Sequence, residues 1–158
     1  MRRARGFSLI ELLIVVAIIL VIAAIAVPSY LRARIQANES AAVGSLRTLN
    51  VAQTSYFSAF PTVGYASSLA ALGGTSCTPP NPASGCFIDT ALAAGARSGY
   101  SFTLGSVTGT PSQAYQITLD PLSPGYTGTR YFCSFSDGVV RTNANSIATC
   151  DSTLAPLN

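Results

Sequence analysis

Sixteen consecutive residues, Leu12 to Val27, are apolar without interruption. A run of that kind has no polar face to turn to water, so it must be covered all round, by lipid or by other apolar helices. Counted from Phe7, the segment is about 21 residues long and, at about 1.5 Å rise per residue, reaches across a bilayer core of roughly 30 Å. One carboxylate, Glu11, stands at its head, and Arg2, Arg3 and Arg5 precede it. The arginines belong on the cytoplasmic side. A carboxylate held in lipid costs several kcal/mol and persists where a partner satisfies it.

A secretory signal also combines a basic start, an apolar stretch and a small-residue triplet, here Ala24-Ile25-Ala26. Two features oppose that reading. Glu11 has no use in a disposable signal, and the chain continues beyond Pro28 with no break. Leu31, Ile35, Ala42, Leu46, Leu49, Tyr56 and Phe60 recur at helical spacing. The pattern predicts one long helix from about Phe7 to Phe60, apolar in its first half and amphipathic in its second, about 80 Å long at the standard rise. Pro28 removes one N–H from that helix and presses on the Ala24 carbonyl, which predicts a kink or local unwinding. Phe60-Pro61 ends it, because proline disfavours helical backbone in the residue before it.

Charge and composition exclude several functions. All nine basic residues are arginine, and without Arg2, Arg3 and Arg5 the bases balance the six acids. No basic stripe remains to follow phosphates, so no nucleic-acid partner is expected. With neither lysine nor histidine, the usual bases that activate a serine or cysteine nucleophile are missing, and the acids form no evident pair; no catalytic residue and no cofactor is assigned. Asp120, Asp137 and Asp151 do not have the spacing of a calcium loop, and no metal is assigned. Asn38-Glu39-Ser40 matches a glycosylation triplet but falls inside the predicted helix and is set aside. Tyr30, Arg32 and Arg34 suit a membrane interface.

Arg5-Gly6-Phe7-Ser8-Leu9-Ile10-Glu11-Leu12-Leu13, with the apolar run and Pro28 behind it, closely resembles the class III signal of type IV pilins and pseudopilins. The resemblance implies cleavage by a prepilin peptidase between Gly6 and Phe7, methylation of the new amine of Phe7, and pairing of Glu11 with that amine on a neighbouring subunit. Two groups that are costly when buried alone become tolerable as a pair, and the pair fixes the axial register between subunits. It further implies residence in the inner membrane with the N-terminus cytoplasmic, then polymerisation with copies of itself by an assembly machinery into a surface pilus or a periplasmic pseudopilus. The specific motif covers about the first 30 residues; the remainder resembles pilins by layout.

The expected fold is α+β and pilin-like, a long N-terminal helix on a small antiparallel sheet with disulfide-closed loops. Its parts are a leader 1–6, a transmembrane and assembly helix 7–28, an amphipathic helical half 29–60, and a globular head 61–158. Within the head, 61–98 reads as loop, about 99–142 as sheet and 143–158 as a C-terminal loop. Tyr100, Phe102 and Leu104, then Tyr115, Ile117 and Leu119, alternate with polar residues as half-buried strands do. Arg130 to Ser136 followed by Asp137-Gly138 and Val139-Val140-Arg141 reads as a hairpin, for a sheet of three or four strands. Asp89 is a candidate N-cap for a helix over Thr90 to Ala94. Phe57 and Phe102 are assigned to core packing. The even count of cysteines beside an export-type N-terminus favours disulfides over zinc. Four cysteines allow three pairings, of which Cys77–Cys86 and Cys133–Cys150 are preferred. Within the resemblance, a major pilin for adhesion, motility or DNA uptake leads over the alternative of a minor pilin or a type II secretion pseudopilin; a monomeric exported binding domain ranks below both, and it predicts a dispensable Glu11.

Overall fold

The computed structural model describes residues 7–74 and 79–157. Its longest element is helix α1, Leu9–Ala59. The chain divides into two units, Met1–Arg34 and Ile35–Asn158. In the first, α1 runs through Pro28 unbroken. The local unwinding expected there is absent: a proline removes a single N–H bond, and the turns on both sides keep theirs.

The second unit holds the core. From α1 it takes Ala42, Val43, Leu46, Leu49, Ala52 and Tyr56, all buried at three- and four-residue spacing on one face. Against them lies an antiparallel sheet of five strands in sequential order: β1 Ala96–Arg97, β2 Tyr100–Gly109, β3 Ser112–Pro121, β4 Tyr131–Phe135 and β5 Arg141–Asn143. Tyr100 and Phe102 on β2, Tyr115, Ile117 and Leu119 on β3, and Phe132 on β4 are buried toward the helix, as period-two alternation requires.

The sheet has one strand more than expected, because the two residues of β1 pair with Tyr100 and Ser101 from within a Gly- and Ala-rich stretch that carries no alternation. The Asp137-Gly138 turn also differs from a two-residue hairpin. Strand β4 ends at Phe135 and β5 begins at Arg141, with Tyr131 opposite Asn143 and Cys133 opposite Arg141. Asp137 and Gly138 therefore lie inside a five-residue connection. The Asp137 carboxylate accepts from the Val139 N–H at 2.9 Å and pairs with Arg141 at 2.6 Å, which holds Val139 and Val140 out of the ladder.

Two short helices complete the unit, α2 Leu69–Leu72 and α3 Thr90–Ala93. Ser68 caps the first, and Asp89 caps the second by accepting from the Leu92 N–H at 2.7 Å. The face of β3 and β4 turned away from α1 is covered by the C-terminal loop. Cys133 and Cys150 are joined by a disulfide and cluster with Ile147. Gln116 donates to the Ala148 carbonyl, and Ser146 donates to the Asp120 carboxylate. Cys77 lies outside the described residues, and so does the pairing of Cys77 with Cys86.

Candidate functional site

The N-terminal segment presents an unbroken apolar surface. Fifteen large apolar side chains between Phe7 and Val27 are exposed, with Phe7 at 83% and Ile25 at 73%. Covering a Val, Leu, Ile or Phe side chain is worth about 1.5–3 kcal/mol, so the segment as a whole stands to gain tens of kcal/mol from a partner. That is far beyond the scattered apolar exposure of a soluble surface. By length and composition the segment is able to cross a membrane.

At its start, Glu11 turns back on its own backbone and accepts from the Ser8 N–H at 2.9 Å, while Leu12 N–H closes on the Ser8 carbonyl at 3.3 Å. This is the glutamate half of a capping box: Ser8 occupies the N-cap, and a carboxylate three residues on satisfies an amide that has no partner within the helix. Glu11 is exposed there, and so is Phe7. Gly6 lies outside the described residues.

A second constellation escaped the sequence reading. Glu39, set aside with its glycosylation triplet, is only 3% exposed. Its Oε1 accepts from the Thr129 N–H and hydroxyl, both at 2.9 Å, and from the Arg130 N–H at 3.2 Å. Its Oε2 takes the Arg130 guanidinium through Nε and Nη2, each at 2.7 Å. The neighbouring Asn38 donates to the Thr127 carbonyl at 3.0 Å, and Tyr100 donates its hydroxyl to the Arg130 carbonyl at 2.8 Å. Helix α1 thereby grips the β3–β4 connection. Burial raises the Glu39 carboxyl, but the hydrogen bonds from Thr129 and Arg130 and the Arg130 charge outweigh it, and the group is held below its ordinary value. The signal was present in the sequence: Glu39 stands three and seven residues before Ala42 and Leu46, on the core-facing side of the helix, where an acid needs a partner.

Residues 1–27 match the family model of the prokaryotic N-terminal methylation motif. The N-terminal segment carries that motif, and it is over this part that the chain is similar to type IV pilins. Over 56 residues, 35% of its length, the chain is 50% identical to the type IV major pilin PilA of Myxococcus xanthus, and the match spans 26% of that protein. Over 40 residues, 25% of its length, it is 58% identical to the type IV wide pilus major component PilA4 of Thermus thermophilus, spanning 30% of that protein. The matches thus cover less than a third of either pilin. A long N-terminal helix, an antiparallel sheet against its second half and a C-terminal disulfide fit the type IV pilin α+β fold.

Proposed function

We propose that the chain is a prepilin, the structural subunit of a type IV pilus-like filament, which polymerises by burying its N-terminal helix among identical helices. The observation that carries this reading is the exposed apolar surface from Phe7 to Val27 on a segment matching the methylation motif. A membrane covers that surface before assembly and neighbouring copies cover it afterwards, with the hydrophobic effect as the main driving force. Cleavage between Gly6 and Phe7 by a prepilin peptidase and methylation at Phe7 precede assembly. Glu11, which the isolated chain satisfies with Ser8, then exchanges that bond for the amine of Phe7 on a neighbour.

The role is structural, and the inner membrane is the place of storage. Both pilins reported above are described as major, which favours a major pilin serving adhesion, motility or DNA uptake over a minor pilin or a type II secretion pseudopilin. The test is electron microscopy, with immunogold against this chain, of material sheared from cells that produce it. Labelled filaments support the proposal; a chain confined to membranes or free in solution refutes it.

A further inference from the structure

The second unit carries a polar cleft of about 310 Å³ lined by Glu39, Ser40, Val43, Arg47, Arg130 and Leu157. Two arginines and one carboxylate line it, and that carboxylate is fully engaged. Both Glu39 oxygens are occupied by Thr129 and Arg130, which leaves Arg47 without a carboxylate partner among the described lining residues. Among the described residues the ion pairs are Arg97–Asp89, Arg130–Glu39 and Arg141–Asp137, and Arg47 takes part in none. Counted over its described lining residues, the cleft carries one net positive charge, with Val43 and Leu157 as its apolar members.

Three acids among the described residues are likewise outside any ion pair: Glu11, Asp120 and Asp151. Glu11 is engaged by Ser8, and Asp120 is half-buried and takes the Ser146 hydroxyl. Asp151 is exposed and directly follows Cys150, whose disulfide to Cys133 anchors the C-terminal loop. It is further fixed by accepting from the N–H and hydroxyl of Thr153. The two charges lie on different sides of the unit. Arg47 belongs to the helix, whereas Asp151 belongs to the loop that covers the opposite face of the sheet, on the side where Cys133 and Gln116 point. Two different patches of opposite charge on one chain make a heterologous contact, the kind that propagates into open helical arrays instead of closing on itself.

We infer that the Arg47 cleft receives the Asp151 loop of a second copy, so that an Arg47–Asp151 pair between neighbouring globular units adds register to that set by the N-terminal helices. Burial of the helices supplies most of the energy of assembly; a charge pair of this kind supplies specificity, because the wrong pairing sets like charges together. The inference rests on the filament reading above and says which surfaces of the globular unit meet.

The experiment is a charge swap in the full chain, read as the amount of sheared filament relative to total chain. Arg47→Asp and Asp151→Arg are each expected to lower filament yield about tenfold, and the double variant to restore it to within about twofold of the parent. Both positions are exposed, and near-UV circular dichroism of the detergent-solubilised chain checks that each variant keeps its fold. Normal yield from either single variant overturns the inference, and so does a double variant that stays as low as the singles. Loss on Arg47→Asp alone means that a different anion occupies the cleft, and it also overturns the pair. An unmodified chain that forms no filament refutes the filament reading itself and takes this inference with it.

Discussion

Glu39→Ala is the sharpest perturbation of the globular unit. The substitution takes the acceptor from two backbone N–H groups, one hydroxyl and one guanidinium. The Arg130 side chain is 49% exposed and returns to water, so its share of the loss is held to about 1 kcal/mol. The Thr129 and Arg130 amides and the Thr129 hydroxyl each lose a charged acceptor, at about 1 kcal/mol apiece once water partly replaces it. The total is about 3–4 kcal/mol, which lowers Tm by roughly 10–15 °C for a unit of about 120 residues. Six of the seven tyrosines lie beyond Arg34, so near-UV circular dichroism of the full chain in detergent follows this unit with little contribution from the apolar N-terminal segment. Glu39→Gln keeps one acceptor oxygen and loses about half as much. The folded carboxyl is held below its ordinary value of 4.5, so its contribution is complete above that pH and lost as pH falls through the folded value. The gap in Tm between parent and Glu39→Gln is thus constant from pH 5 to pH 8 and narrows below about 4.5. A drop of less than about 3 °C for Glu39→Ala, or a gap that does not narrow in acid, refutes the role of Glu39 in holding the β3–β4 connection.

Three further outcomes follow from the same structure. Replacing Cys133 and Cys150 with serine opens a loop of sequence separation 17 and costs about 3 kcal/mol by loop entropy, seen as a lower urea midpoint and as earlier proteolysis after Cys133. Gly128→Ala drives a methyl into the hydroxyl and ring of Tyr100; Tyr100 is fully buried, and a loss of about 1–3 kcal/mol is expected in thermal unfolding. Glu11→Ala removes both the cap on Ser8 and the proposed intersubunit partner. The variant should remain in the membrane fraction, with its sheared filament reduced at least tenfold beside the parent; normal assembly contradicts the register role.

Much of this architecture was legible because it is periodic. The apolar run, the helical spacing of Ala42, Leu46, Leu49 and Tyr56, and the alternation through Tyr100, Phe102, Tyr115, Ile117 and Leu119 each report a face that has to be covered. Features without periodicity stayed hidden. Strand β1 is two residues long and exposed, and it pairs only because β2 offers it an edge. The Asp137-Gly138 signal was spent on a wider connection because Asp137 has a nearby guanidinium to bind. Glu39 looked like an ordinary polar residue of a glycosylation triplet, since its partners Thr129 and Arg130 are some 90 positions away. Pairings at such separation are fixed by the tertiary fold and leave no local trace. In the N-terminal segment, the helix and the role of Glu11 in its first turn both have local causes: Ser8-Leu9-Ile10-Glu11 is a capping signal in its own right.

The central claim is that the apolar segment is retained, processed and used for assembly, and the mature N-terminus tests it most directly. Mass spectrometry of the chain recovered from sheared surface material should find a first residue of Phe7 carrying one added methyl group, with Glu11 four positions behind it. A first residue at Val27, after cleavage at the Ala24-Ile25-Ala26 triplet, removes Glu11 and nearly all of the apolar surface, and contradicts the account.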